Sequence, residues 1–286
     1  GQLLMTHTVI SFRGEYRLNS NLDHKLWKWN DIRDEYNRAA ILVGNGQSIA
    51  LSDRFKDVSL VGEVDLSLRE EIKRLLAALE TSSFEGVLGG LLTGSRVAEI
   101  LIPGPQAPEI VRASYERIKQ GLIDAVHSVH VLRSDIDNSV LLRIGEELTR
   151  YSAVYSTNYD LTLYWSLMQW ADTDGSLDRI RDHFRARDGE TNIKNVFDLV
   201  RAMEPEADTC VTELFFVHGA LHLFQLPSKT VGKLTNNGQG LLDQFYHYPV
   251  ENSLPLFISE GDSKAKREAI RDSVYLEYVF SRFQKY

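Results

Sequence analysis

Cysteine is nearly absent from this sequence: Cys210 is its only one. A single thiol excludes an internal disulfide and every zinc site built on paired cysteines. Long apolar runs are lacking too. No stretch approaches the roughly 18 uncharged apolar residues of a membrane span, and the opening GQLLMTHTVISFRGEY has no basic flank leading into a sustained apolar core. The location expected from these features is the cytoplasm. Positive charge is in deficit: 32 Lys and Arg against 40 Asp and Glu give a net charge of −8, and the basic residues are scattered. That removes the broad electrostatic footprint of a duplex nucleic-acid binder, so an anionic ligand must be held by local donors. What is present suffices for a sizeable core. With 286 residues, 43% of them hydrophobic, the chain suits one large domain over residues 1–286.

Periodicity divides the chain. Leu22, Leu26, Trp29 and Ile32 recur at spacings of three and four, which predicts a leading helix over residues 20–40. Ala40 to Val43 form a short apolar run stopped by Gly44, suited to a buried parallel strand. Two helical stripes follow, one through Leu68, Ile72, Leu75, Leu76 and Leu79, the other through Phe84, Val87, Leu88, Leu91 and Leu92. The prolines of IPGPQAPE force a loop, and Pro108 opens a helix carrying Ile110, Tyr115, Ile118, Leu122, Val126 and Val129. Residues 66–135 thus read as a helical insertion. A strand is expected at residues 152–157 and a helix to about Trp170, with polar segments to about Thr209. TELFFVHGALHLFQL reads as a strand, a tight turn and a second strand. SKTVGKLTNNGQGLLDQ reads as loop, LPLFISEGD as a short strand, and SKAKREAIRDSVYLEYVFSRF as one closing helix.

Three apolar strands therefore end in polar punctuation: Gly44-Asn45-Gly46-Gln47-Ser48, Thr157-Asn158-Tyr159-Asp160 and His218-Gly219. In an open parallel sheet, ligands bind outside the carboxyl ends of the strands. The two glycines of the first segment let backbone N–H groups approach a phosphate, or serve turn geometry alone. A dinucleotide fingerprint would need glycine or alanine at position 49, which is Ile49. Asn158 can orient a sugar hydroxyl or a water without bringing charge, or cap the next helix. For Asp160 too, capping the next helix is the alternative to a functional role. His218 is a titratable group for a general base, or a buried imidazole bonded to backbone.

In this order and separation the three segments resemble the SIR2-like superfamily. Sirtuins carry Gly-Ala-Gly-x-Ser, Gln-Asn-x-Asp and a His-Gly at matching places. The chain is also similar to bacterial SIR2-like proteins of the DUF4917 kind in ILVGNGQSIA, SSFEGVL, STNYDLTLYW, FFVHGALHLF, PLFISEG and VYLEYVF, which together cover about residues 25–280. The resemblance implies an α/β, Rossmann-like, mostly parallel sheet of SIR2/DHS type with the helical insertion. It implies NAD as substrate, hydrolysed to nicotinamide and ADP-ribose, with no metal. Asn158 and His218 would be the catalytic pair. Gly44, Gly46 and Ser48 would cradle the pyrophosphate, with Asn45, Thr157, Asp160 and Gly219 completing the cofactor-binding set. One cysteine cannot build the four-cysteine zinc module of a sirtuin deacylase. The helical insertion instead matches the SIR2-like proteins of antiviral defence, which deplete NAD as oligomers or with a partner protein. Many of these continue into a further strand, so the C-terminal end is expected to be incomplete.

Two other classes stand beside this one. Gly46-Gln47-Ser48-Ile49-Ala50 resembles a nucleophile elbow, and Ser48, Asp160 and His218 occur in hydrolase order. Alternatively the chain is a non-catalytic NAD or ADP-ribose sensor. Metal pairs at His218 and His222, or at His127 and His130, are allowed by spacing, but the first straddles an expected hairpin and the second lies on a helix without a carboxylate partner motif. Tyr159, Tyr164, Trp165 and Trp170 are expected in the core rather than on a stacking platform.

Overall fold

The computed structural model describes residues 33–55, 60–81, 84–186, 195–204, 210–226, 228–235, 253–257, 267 and 270–285. In chain order its strands are β1 (Ala40–Val43), β2 (Ala153–Ser156), β3 (Ile180–Arg181), β4 (Phe184–Ala186), β5 (Asn195–Phe197), β6 (Thr212–Phe216), β7 (Gly219–Gln225), β8 (Val231–Lys233) and β9 (Leu254–Phe257). They form two sheets. One has the order β1-β2-β6-β3 and is parallel throughout. The chain has a Rossmann-like α/β fold.

Continuous apolar runs make β1, β2 and β6 because a parallel sheet hides both of its faces. All four residues of β2 are buried. Between β1 and β2 lie helices α1 (Gly46–Leu51), α2 (Leu60–Glu63), α3 (Leu66–Ala78), α4 (Phe84–Leu101), α5 (Gln106–Val129) and α6 (Asn138–Leu148). Ile72, Phe84, Leu88, Ile118 and Leu122, all named by their spacing, are fully or almost fully buried in one apolar cluster. The helix expected to open at Pro108 begins two residues earlier, at Gln106, leaving Pro108 buried in the first turn where its missing N–H costs nothing.

Helix α7 (Thr162–Asp174) follows β2 and crosses α6 closely. A Cβ at Gly145 would come within 2.4 Å of the Ser166 carbonyl oxygen and 2.6 Å of Trp170 Cβ. Glycine is required there for packing. Short α8 (Leu199–Ala202) and α9 (Val274–Phe283) complete the elements. α9 covers β6: β3 reaches only Thr212 and Glu213, and at the far end of β6 the Phe216 N–H donates to the buried Tyr275 hydroxyl at 3.0 Å.

The second sheet, β4-β5-β8-β7-β9, is antiparallel, an addition to the mostly parallel architecture expected. Its members explain the differences from the sequence reading. SKTVGKL is not all loop: residues 231–233 form β8, because Gly232 lies against the Phe224 ring, where a Cβ would meet Phe224 Cζ at 2.4 Å. The polar stretch before Thr209 contains β3, β4 and β5, each of two or three residues and made by pairing rather than by propensity. α6 joins the helices without having been expected. The closing helix is broken at Ser273, whose hydroxyl accepts the Leu276 N–H and starts α9 afresh. Of the leading helix, residues 20–32 lie outside the described residues, and Arg33–Tyr36 form a 3-10 turn. Glu260-Gly261, at the end of the LPLFISEGD segment, also lie outside them.

Gly145→Ala should destabilise the protein by about 1–3 kcal/mol through overpacking of α6 on α7. Urea unfolding would show this as a lower midpoint at unchanged slope.

Candidate functional site at the carboxyl edge of the parallel sheet

Strand register aligns the three segments. Val43 pairs with Ser156, and Ser156 with Phe216, so β1, β2 and β6 reach the same row. The backbone continues the row outward, with the Thr157 N–H on the Val43 carbonyl at 3.0 Å and the Val217 N–H on the Ser156 carbonyl at 2.8 Å. Adjacent strands are about 4.8 Å apart. Gly44, Thr157 and Val217 therefore leave the sheet side by side, and the residues after them share one edge.

Gly44 and Asn45 are exposed, and Gly46 is half-buried. Gly44 does not need glycine for its backbone, since its φ is not positive, and an added Cβ would meet only Thr157 Oγ1 at an ordinary 3.6 Å. Turn geometry alone thus leaves the glycine unexplained. Asn45 pins the loop by donating from Nδ2 to the Phe55 carbonyl at 3.0 Å. α1 has only six residues, so the field at its start is weak and backbone N–H groups are the donors that matter.

Behind this loop is a buried polar network. The Ser48 hydroxyl donates to Asp160 Oδ2 at 2.6 Å, and Asn158 Nδ2 donates to Ser48 Oγ at 2.8 Å and to the Gly44 carbonyl at 3.1 Å. Asp160 Oδ1 accepts from the Thr162 N–H at 2.8 Å and lies 2.6 Å from the Thr162 hydroxyl. Asp160, rather than Asn158, satisfies the helix start. Both amide protons of Asn158 are spent inward. Its Oδ1 has no partner among the described residues.

His218 is half-buried in the turn between β6 and β7, where Gly219 takes a φ of +74° that a side chain would strain. This turn carries the chain from one sheet into the other. The Leu221 N–H on the Tyr159 carbonyl, 2.8 Å, ties it to the Asn158 loop. The site residues expected from sequence thus come together in part through direct bonds, namely Gly44, Ser48, Asn158 and Asp160. Asn45, Gly46, Thr157, His218 and Gly219 flank them on the same edge.

Sequence reasoning gave Gln47, Ser156, Thr162 and His130 no supporting role at this edge. Gln47 is buried beside Ser48, its Oε1 3.1 Å from the Thr162 hydroxyl and its Nε2 without a partner. Ser156 Oγ accepts the Asn158 N–H at 3.0 Å. Buried His130 donates from Nδ1 to the Val131 carbonyl at 2.7 Å and accepts the Leu161 N–H on Nε2 at 3.2 Å, which fixes one neutral tautomer. Its pKa is lowered by burial, against the opposing pull of Asp160. Short polar side chains two residues either side of Asn158 and Asp160 were the available signal.

Both nitrogens of His130 are engaged, so the spacing of His127 and His130 does not make a metal pair. Among the described residues no group of three or more His, Cys, Asp or Glu is disposed to hold a metal ion. His222 is buried between the Tyr164 and Phe216 rings, at 4.9 and 5.1 Å, with Nδ1 unpartnered. Trp165 and Trp170 are buried, as expected of core aromatics. Among the described residues no helix is long and apolar enough to cross a membrane.

Residues 41–285, spanning all three segments and both sheets, match the family described as Domain of unknown function (DUF4917). The chain belongs to this family. No curated protein matches it.

Two predictions follow from the DUF4917 site. Ser48→Ala leaves a buried Asp160 carboxylate short of a donor and should cost about 1–3 kcal/mol, read from denaturant unfolding. His130 and His222 are buried with pKa values below the ordinary histidine value, burial being the main cause in each. Above about pH 6.5 neither state of the chain binds these protons. Below it the unfolded state binds them and the native state does not, so stability should fall on acidification. The fall in melting temperature between pH 7 and pH 5 should be smaller in His222→Phe.

Proposed function

We propose that this DUF4917 chain is an NAD+ glycohydrolase of SIR2-like type, cleaving the nicotinamide–ribose bond with water to give nicotinamide, ADP-ribose and a proton. The observation that carries the reading is the shared edge. An open glycine loop, an asparagine with an unpartnered carbonyl oxygen and a histidine turn leave three neighbouring parallel strands at one level. This is where open α/β sheets bind nucleotides.

The bond breaks through an oxocarbenium-like transition state while a cationic pyridinium departs as a neutral amide, so the leaving group needs little acid help. The protein's tasks are to position the ribose, tolerate a forming cation and present water. Asn158 suits the second task because it is uncharged. Its N–H groups are held by Gly44 and Ser48, so it offers Oδ1 as a fixed acceptor for a ribose hydroxyl or the attacking water. His218 takes the proton. Ser48 and Asp160 act on each other and on Asn158, holding the amide in place instead of touching the pyrophosphate. That contact falls to backbone around Gly44 and Gly46, with Asn45, Thr157 and Gly219 lining the edge.

The serine-hydrolase reading is weaker on this geometry. A Ser48, Asp160 and His218 triad would need the imidazole on the serine hydroxyl, whereas Ser48 is fully buried with its proton directed at the Asp160 carboxylate. The role in defence, and activation by self-assembly or by a partner protein, belong to the same proposal.

Incubation with NAD+ at several protein concentrations, with product identification, tests the reading. Asn158→Ala should lower nicotinamide release by about 10²–10³-fold, in protein shown by thermal melting to be folded. Binding of NAD+ without turnover at any concentration would identify a sensor instead. Neither binding nor turnover would sink both.

A further inference from the structure

A polar cavity of about 500 Å³ opens beside β3, β4 and α8, lined by Arg181, Asp182, His183, Arg185, Asp198 and Arg201, with apolar Ile180, Phe184 and Ala202. None of these belongs to the segments that follow β1, β2 and β6. The cavity is within the size range of small-ligand sites.

Its charge balance is opposite to that of the chain. Arg181, Arg185 and Arg201 line it with two carboxylates, and because Arg181 has an interaction of its own, Arg185 and Arg201 are the groups left for a ligand. Both carboxylates have other work: Asp182 is in an ion pair with the largely buried Lys233, and Asp198 caps α8 by accepting the Arg201 N–H at 3.2 Å. Lys233 stays charged because Asp182, helped by Tyr164, outweighs the cost of its burial. The lining and Lys233 together carry four basic side chains against two acidic ones, on a protein of net charge −8. A concave positive site focuses potential on an anion.

The back of the cavity is rigid. His183 is buried with a φ of +62°, its Nε2 lies 2.9 Å from Glu213 Oε1, and its ring stacks on Phe215 at 5.5 Å and 6°. Glu213 is held in turn by Arg282, and the His183 carbonyl accepts the Asp198 N–H at 3.2 Å, joining both walls. A non-glycine residue kept in the left-handed region by this much packing is a common sign of a working site. Arginines grouped around a pre-shaped hollow match the oxygens of a phosphate better than those of a planar carboxylate, since several forks can each take a pair.

We propose that this cavity binds a phosphate group, either free or carried by a small molecule such as a nucleoside monophosphate. The proposal does not rest on the NAD-cleavage reading.

Titration calorimetry of the full chain with inorganic phosphate, AMP and adenosine tests it. Phosphate and AMP should bind and adenosine should not. AMP binding tighter than phosphate would assign the rest of the cavity to the nucleoside, and equal affinities would assign free phosphate. Arg201→Glu should weaken phosphate binding by at least about tenfold, the value of one charge-assisted contact, and added salt should weaken it further. Arg185→Glu gives the same reading if Arg201→Glu fails to fold. Absence of phosphate and AMP binding, or affinity unaltered in both arginine variants, overturns the proposal. So does adenosine binding as well as AMP.

Discussion

The hydrogen bond from Ser48 to Asp160, 2.6 Å long and buried, is the constraint on which the carboxyl edge depends. It joins residues 112 positions apart, across helices α2 to α6. In a buried setting each partner is costly to leave unsatisfied. Removing the hydroxyl strips Asp160 of a donor and Asn158 of an acceptor at once, so the loops after β1 and β2 are fixed as a unit. The strand ladder brings the loops to one level, and this bond sets how they face each other.

Around it, the fold spends short elements on closing gaps. β6 is paired by β3 for only two residues, and the Tyr275 hydroxyl takes the Phe216 N–H beyond them. Arg38 does similar work at the other end of the sheet, donating to the carbonyls of Tyr151 and Val211. A sheet of strands two to five residues long has few ladder bonds, so side-chain substitutes at its ends hold the row in register.

The strand ends were readable from sequence because a parallel strand hidden on both faces is a plain apolar run, and ILVGN, AVYSTN and FFVHG each stop abruptly at polar or glycine residues. The long helices were readable for the matching reason, a wide stripe at helical spacing. β3, β4, β5 and β8 were not, because two or three residues carry no period and Gly232 becomes strand only under the Phe224 ring. At the site, Gly44, Ser48, Asn158, Asp160 and His218 were legible as punctuation. Their mutual wiring was not: nothing local says that Ser48 spends its proton on Asp160, or that Gln47, Ser156, Thr162 and His130 complete the lining. Such partners are chosen by the folded backbone.

Gly219 is where the chain passes from one sheet into the other. Before it the chain is the third rail of a parallel sheet, and after it the same chain is the spine of an antiparallel one, with neighbours on both flanks. The two layers are therefore not modules that could be cut apart and grown separately. Any cut that frees one of them severs the peptide that seats the imidazole, so the chemistry and the architecture stand or fall on the same bend.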